Sequence, residues 1–265
     1  MSGNSDFILV QESGWRRGLN NLMNHEFAGW FKTKMWWIQC IIWVSATCFM
    51  LAGVMFSTPD FDIKEGMQIY SLLAGLFPAI GVIIIMQDAL VGEKSEGTTA
   101  WVLSKPVSRH AVILSKAAAN SVGVLVAMVV VPGVVAYGLF CYAAQSVMPP
   151  LPFVAALVVI FVCQLFYLTL TLMMGAFFSG RGPVIGIGLA LVFLQQYLIG
   201  LLPFFKYLLP WGLFMPPSDQ TQAQSIIPAL LMGEPVSSYL PVLLVFLESI
   251  LFVVLAIWRF NKEEF

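Results

Sequence analysis

The segment from Asp88 to His110 gathers charged and small polar residues that could do chemistry in an otherwise apolar chain. Within it, Gly92-Glu93-Lys94-Ser95 is the string nearest to a phosphate-binding loop, whose glycine-rich turn ends in Gly-Lys-Ser/Thr. Glu93 stands where that loop needs a glycine, the upstream glycine is absent, and an apolar span precedes the string instead of a strand. The hydrolase motifs H-E-x-x-H and G-x-S-x-G are also missing. We therefore predict no catalytic residue, and ATP hydrolysis would belong to a separate polypeptide.

Metal chemistry has no more support in the sequence than hydrolysis. The four cysteines, Cys40, Cys48, Cys141 and Cys163, all fall within apolar stretches. They form no C-x-x-C pair and no cluster with the two histidines. Small packing residues within helices are the simpler interpretation, so we expect no metal and no cofactor on this chain.

A second group of polar residues lies inside the apolar runs. Glu248 falls near the middle of the last run, where an ionisable side chain costs roughly 3 kcal/mol on insertion scales unless it is partnered. Two interpretations are open: Glu248 lines a substrate path, or it is a protonated acid bonded to Gln164, Gln195 or Gln196. These four residues are the candidate intramembrane polar groups.

The composition indicates what kind of element must position these residues. Of 265 residues, 59% are hydrophobic and only 10% are charged, and the mean hydropathy is +0.88. A soluble domain carries roughly a quarter charged residues, so this chain cannot cover itself with a hydrated surface and a lipid bilayer is its expected solvent. The net charge of -1 carries no message of its own, but the chain has no polybasic face, so we expect no nucleic-acid partner.

Six runs of about twenty apolar residues predict an all-α membrane protein with six transmembrane helices. The predicted spans are 35–56, 69–87, 112–142, 153–178, 184–202 and 239–260. Only Ser179 to Pro183, a turn rich in helix breakers, joins the fourth span to the fifth. An even number of spans places both termini on the same side of the membrane.

Basic and aromatic residues orient these spans. Eleven of the 13 lysines and arginines fall on the side of the termini, and only Lys64 and Lys206 fall on the other. The positive-inside rule then makes both termini cytoplasmic, in the plasma (inner) membrane. The aromatic residues expected near the cytoplasmic boundary are Trp36, Trp37, Trp101 and Trp258, and those near the outer boundary are Tyr70, Tyr207, Trp211 and Tyr239.

Two regions outside the spans have helical character. Residues 19–31 place apolar side chains at helical spacing opposite Asn20, Asn21, Asn24 and Glu26, which predicts a helix lying flat in the inner interface. Residues 203–238 contain two apolar pieces, FFKYLLPWGLFM and SIIPALLMG, that are too short to span. We expect short helices or a re-entrant hairpin packed against protein in the outer leaflet.

On this topology, residues 88–110 form a cytoplasmic connection between the second and third spans. Ala100 to Leu103 make a short apolar ridge, Gly97 allows the chain to change direction, Pro106 ends the ridge, and Ser108 caps the next helix at Arg109. A soluble partner with a complementary groove would cover such a ridge. Alternatively, the segment is an ordinary polar connector whose Trp101 anchors in the membrane interface.

The run DALVGEKSEGTTAWVLSKPVSRHAVILSK, from Asp88 to Lys116, resembles the region between the second and third helices of ABC-2 type transporter permeases. It looks closest to the NosY-like branch, which has six spans and no fused ATPase. The matching positions are Glu93, Glu96, Gly97, Thr98, Leu103, Pro106, Ser108, Arg109 and Lys116. The chain departs from the family pattern at Trp101-Val102, where a leucine-rich pair is more usual.

The resemblance extends to the whole layout and implies a single ABC-2 (type V-like) permease domain over residues 1–265, with 19–31 as an elbow helix. It implies that residues 88–110 contain a coupling helix that docks in a groove of an ABC ATPase subunit. The implied docking residues are Glu93, Glu96, Gly97, Thr98, Trp101, Leu103 and Pro106. ATP and Mg²⁺ would bind the ATPase, and a second permease copy or a related permease subunit would complete a transporter that exports or flips its substrate.

Two other functions remain open on the residues alone. A secondary transporter or channel would need no ATPase, and it should show broken spans in matched halves with polar groups at the membrane midplane. A membrane scaffold would anchor a cytoplasmic partner through residues 88–110 without transporting anything.

Overall fold

The computed structural model describes residues 14–58, 61–215 and 225–263, and every regular element in these ranges is helical. Short 3₁₀ turns lie at Gly14–Arg16 and Pro203–Tyr207. The longer elements, in chain order, are α1 (Leu19–Phe31), α2 (Met35–Ser57), α3 (Ile63–Met86), α4 (Asp88–Ser95), α5 (Thr98–Leu103), α6 (Arg109–Ala143), α7 (Pro150–Phe177), α8 (Arg181–Leu201), α9 (Trp211–Phe214), α10 (Ile226–Leu231) and α11 (Leu240–Asn261).

Six of these helices, α2, α3, α6, α7, α8 and α11, are long and apolar enough to cross a membrane. The prediction of an all-α membrane protein with six spanning helices is confirmed at this level. The start of α3 differs from its predicted position at residue 69, because Asp62 caps the helix by accepting a hydrogen bond from the Lys64 backbone N–H at 2.9 Å. Hydropathy alone did not indicate this start, because the first turn of α3 contains the charged residues Lys64 and Glu65.

The earlier start of α3 also changes the position of Tyr70. We expected its side chain at the outer membrane boundary, but the ring is buried with 1% exposure. It packs against the rings of Phe140 and Phe153, with centroid distances of 5.9 and 6.1 Å. Tyr70 is therefore a core residue, because two turns of helix separate it from Ile63, where α3 begins.

The central helix of the bundle is α7. Of its most apolar stretch, 67% is buried, whereas the corresponding stretches of α8 and α11 are 22% and 17% buried. α3 and α11 pack along α7, and α8 packs on α7 and α3. The outward faces of α8 and α11 expose large apolar side chains, which suits contact with lipid: Phe193, Leu194, Leu201, Leu243, Leu247, Ile250, Leu251 and Val254.

Two spanning helices contain a π-helical segment, Ser45–Phe49 in α2 and Leu125–Val130 in α6. Pro132 follows the second segment and lacks the N–H that a regular helix would donate to the preceding turn. Cys48 approaches this point, and its Sγ donates to the Pro132 carbonyl oxygen at 3.2 Å. The two irregular segments therefore lie close together, and both helices continue past them.

The bundle has two distinct ends. The start of α6, the end of α11, α1, α4 and α5 meet at one end, which we call the basic end because most lysines and arginines lie there. At the opposite end, α9 and α10 pack on the spanning helices, and every residue of α10 is buried. The Ser71 hydroxyl donates to the Phe214 carbonyl oxygen at 3.0 Å, which ties α9 to α3. The short helices of this region thus rest on protein, as expected for apolar pieces too short to span.

Candidate functional site

The site at the basic end is built around α4, which continues almost directly from α3 through Gln87. Leu90, Val91 and Gly92 are buried, and Leu90 lies so close to Gly175 of α7 that a Cβ there would stand 3.3 Å from the Leu90 Cβ. The same short helix carries the charged residues Asp88, Glu93 and Lys94. Each of these three side chains reaches a different part of the bundle.

Glu93 joins a buried ionic cluster around Lys116. The ammonium of Lys116 lies 2.6 Å from Glu93 Oε1 and 2.8 Å from Glu26 Oε1 in α1, and the lysine side chain is only 6% exposed. Asn120, one turn further along α6, donates to the Lys116 carbonyl oxygen at 2.8 Å and accepts from the Trp30 indole N–H at 2.9 Å. This cluster therefore connects α4, α1 and α6 at one point.

Lys94 and Asp88 connect α4 to the other helices of the basic end. Lys94 Nζ donates to the Ala176 carbonyl oxygen at 3.0 Å and lies 2.7 Å from Glu263 Oε2, which makes an ion pair with it. Asp88 accepts from Arg181 at the start of α8 at 2.8 Å. Because the Asp88–Arg181 pair is half exposed, solvent screening makes it the weakest of these connections.

Arg109, at the first position of α6, contacts the end of α11. Its Nη1 donates to the backbone carbonyl oxygens of Phe260, Asn261 and Glu263 at 3.0, 2.9 and 2.6 Å. The last carbonyls of a helix lack intrahelical partners, and a cation there satisfies them and complements the helix dipole.

The connection between α4 and α6 turns outward at Gly97, whose φ of +71° is a left-handed conformation that glycine adopts without strain. The Thr98 hydroxyl donates back to the Glu93 carbonyl oxygen at 3.1 Å and fixes the start of α5. Trp101 on α5 is 62% exposed, and Lys105 Nζ lies 3.4 Å from the centroid of its ring. α5 packs mainly on α4 and lies outside the six long helices.

The predicted cap of α6 is confirmed. Ser108 Oγ accepts a hydrogen bond from the Ala111 backbone N–H at 3.1 Å. The Ser108 backbone N–H donates to the Arg17 carbonyl oxygen at 3.0 Å, and its hydroxyl donates to the Trp15 carbonyl oxygen. Residues just before α1 are thereby fastened to the end of the connection.

The docking residues implied by the resemblance divide into two groups. Glu93 and Thr98 face inward and hold α4 and α5 in place. Glu96, Gly97, Trp101 and Pro106 are exposed to solvent. The side chain of Leu103 lies outside the part of the chain that the structure describes.

Of the four intramembrane polar candidates, Gln164 and Gln195 are fully buried and have structural partners. Gln164 Nε2 donates to the carbonyl oxygens of Ala74 and Gly75 at 3.1 and 3.2 Å. Gln195 bonds the Tyr167 hydroxyl and accepts from the Trp211 backbone N–H at 3.1 Å, which anchors α9.

Gln196 is exposed on α8. Glu248 is about half-buried on α11, and it makes no hydrogen bond to any of the three glutamines within the described ranges. The expectation that a glutamine partners Glu248 is therefore not met in this structure, because Gln164 and Gln195 are engaged elsewhere.

Sequence reasoning missed the two acids that complete the ionic contacts of the basic end. Glu26 was placed only on the polar face of α1, and Glu263 follows the last span with no motif around it. Unpaired basic residues next to apolar spans, Lys94 and Lys116, were the available signal, because a buried lysine requires a counter-charge. Across the described residues, no group of three or more histidine, cysteine, aspartate and glutamate side chains could hold a metal ion.

Together, six long apolar helices and an ion-paired basic end define a polytopic α-helical membrane protein. The chain belongs to the DUF2705 family, described as a protein of unknown function, whose match covers residues 34–265. The match includes all six long helices and the α4–α5 connection, and it begins after α1. A comparison with the curated proteins finds no match.

Proposed function

We propose that this protein is the membrane-spanning subunit of an ABC-2 type transporter, driven by ATP hydrolysis on a separate ABC ATPase subunit. The docking surface is formed by Trp101 on α5 and by the exposed residues that flank this helix, Glu96, Gly97 and Pro106. The basic end faces the cytoplasm with both termini, and α1 lies in the inner interface as an elbow helix. A second copy or a related permease subunit completes the transporter, and the cargo is exported or flipped.

The observation that carries this proposal is the position of α5. It is a short helix outside the six long ones, it exposes an aromatic ring to solvent, and it lies in the segment that resembles a coupling helix. Its base is not a loose loop, because α4 is fastened by Glu93 and Lys94 to three helices. A rigid base is what allows a docked partner to move the membrane helices instead of only bending a loop.

Two features favour a second candidate, a transporter that needs no ATPase. π-Helical segments interrupt α2 and α6, and Glu248 carries an ionisable group into α11. Interrupted helices and intramembrane acids are features of secondary transporters. The interruptions here leave both helices continuous, however, and they do not bring Glu248 a partner, so the ATPase-coupled function has the stronger support.

Capture of the partner from the native membrane tests the proposal. The protein, tagged through a flexible linker and extracted in mild detergent, should retain an ABC-type ATPase identified by mass spectrometry. Substituting Trp101→Ala should lower the recovered ATPase at least about tenfold, because an exposed aromatic anchor at an interface contributes about 2 kcal/mol or more.

Trp258→Ala is the matched control for this experiment. Trp258 is also an exposed tryptophan with a lysine over its ring, Lys262 at 4.1 Å from the centroid, but it lies on α11. We expect the amount of ATPase captured with this variant to equal the amount captured with the unmodified protein. Equal recovery with Trp101→Ala, or no ATPase after crosslinking through residue 101, would leave a secondary transporter or a scaffold.

A further inference from the structure

One short piece of chain, the C-terminal turn Phe260–Glu263, contacts the α4–α6 connection at both of its ends. Before the connection, Lys94 pairs with the Glu263 carboxylate at 2.7 Å. After it, the guanidinium of Arg109 binds three backbone carbonyls of the same turn. The fourteen residues between these two cations, which include α5, therefore leave and return to the bundle at one place.

Lys94 and Glu263 lie largely away from bulk water, and they attract each other as an ion pair whose geometry is not that of a hydrogen bond. The Lys94 and Glu263 side chains are only 7% and 17% exposed, so water screens their attraction less than it screens that of a surface pair. Removing one charge would leave the other partly buried without compensation. Arg109 supplies a cationic donor to backbone carbonyls at and just after the end of α11, where a positive charge also complements the helix dipole.

We propose that the C-terminal turn is a clasp that fixes the orientation of α5 and couples it to α11. Lys94, Arg109 and Glu263 are its positioning residues. Because Lys94 and Arg109 both hold the turn that ends α11, a shift of the connection moves the end of α11 with it. The same helix carries Glu248, about 20 Å along the axis from the end of α11 at Asn261, so the clasp joins the exposed tryptophan to the span with the intramembrane acid.

This inference deepens the proposed function, since it says how a partner docked on α5 would act on the membrane helices. The clasp itself consists of contacts within this chain and does not depend on what docks. It can therefore be measured on the purified protein without any ATPase. Absence of an ATPase in the capture experiment would overturn the docking proposal and leave the clasp standing.

Amide hydrogen exchange measured by mass spectrometry on the full chain in nanodiscs tests the clasp. Glu263→Gln keeps the size of the side chain and removes its charge, so residues 97–107 should exchange about tenfold faster while α7 keeps its protection. Glu263→Asp keeps the charge on a side chain one methylene shorter and leaves the Lys94–Ala176 hydrogen bond in place, so its exchange should stay closer to that of the unmodified protein.

Glu234→Gln is the matched control. Glu234 pairs with Lys64 at 3.3 Å at the opposite end of the bundle, in an exposed ion pair, and its loss should leave residues 97–107 unchanged. Equal exchange in Glu263→Gln and the unmodified protein would overturn the clasp. So would a rise spread evenly over α7, or an equal rise in Glu263→Asp and Glu263→Gln, since neither result would depend on the charge that pairs with Lys94.

Discussion

Lys116 holds an unusual position for a lysine, because its ammonium is almost fully buried and touches two carboxylates that belong to different helices. A buried charge that loses all its partners costs several kcal/mol, whereas one that keeps a single good partner costs far less. Glu26 and Glu93 can each supply that single partner. The arrangement therefore protects the cluster against the loss of either acid alone.

We predict that the effects of removing the two acids are strongly non-additive. Glu26→Gln or Glu93→Gln alone should lower the free energy of unfolding by about 1 kcal/mol, since Lys116 keeps one carboxylate. The double variant should lose about 3–5 kcal/mol, because the lysine then stays buried without a counter-charge. A double-mutant cycle, measured by equilibrium unfolding in mixed micelles, checks this prediction. Strictly additive losses would contradict it.

The roles of single residues were only partly predictable from the sequence. The resemblance singled out Glu93 and Lys116 as matching positions, but it assigned Glu93 to docking, whereas the side chain turns inward to the lysine. The ion pair joins positions 23 residues apart with a helical break between them, and no periodic pattern encodes such a contact. By contrast, Ser108 as a helix cap followed directly from residue type and local order, because capping is a contact within one turn.

At the scale of the helices, the contact between α1 and α6 depends on one small residue. A Cβ added at Gly123 would lie 2.3 Å from the indole ring of Trp30, so only glycine lets the tryptophan pack there. Trp30 is buried and bonded to Asn120. The hydrogen bond and the close approach together fix α1 against the third spanning helix and hold Glu26 beside Lys116.

We predict that Gly123→Ala destabilises the protein by about 1–3 kcal/mol, because the indole ring must move out of a well-packed site. Gly138 in the same helix is the control, since a Cβ there meets nothing within 4 Å. Gly138→Ala should be neutral or stabilising, because alanine favours a helix more than glycine does. Equilibrium unfolding of both variants in the same micelles checks the difference, and equal losses would refute it.

The six long helices were predictable because hydropathy over about twenty residues reports directly on the solvent that a segment needs. The connections between these helices were less predictable from the sequence. The polar residues Asp88 to Ser95 suggested a connection outside the bundle, yet they form α4, whose buried Leu90 and Val91 pack on α7. Gly123, Gly133, Gly138 and Gly175 looked alike in sequence, and only the packing separates the exposed Gly138 from the other three.

At the scale of the whole molecule, the distribution of basic residues predicts which end faces the cytoplasm. Lysines and arginines cluster where α1, α4, α5 and the end of α11 meet, and the positive-inside rule assigns that end to the cytoplasm. Lys105 on the α5 connection and Lys64 at the start of α3 mark the two ends, and both are exposed.

We predict opposite labelling of these two positions by a membrane-impermeant thiol reagent. In a background without the four native cysteines, Lys105→Cys should react only in inverted vesicles and Lys64→Cys only in right-side-out vesicles. Labelling efficiency, read by mass shift, should differ between vesicle types by about tenfold or more. The reverse pattern would contradict the assignment, and reaction after detergent lysis of both vesicle types is the control for accessibility.

Pro78 removes one backbone donor from the middle of the second spanning helix, at a kind of position where helices ordinarily bend. Proline cannot donate the hydrogen bond that the Ala74 carbonyl would receive in a regular helix, and the Gln164 amide of α7 supplies a donor to that oxygen and to its neighbour. This part of α3 is therefore held from outside, by the helix at the centre of the bundle. We therefore expect α3 and α7 to move together as one rigid unit. Any conformational change in a transport cycle would then occur elsewhere, among helices that are less firmly held.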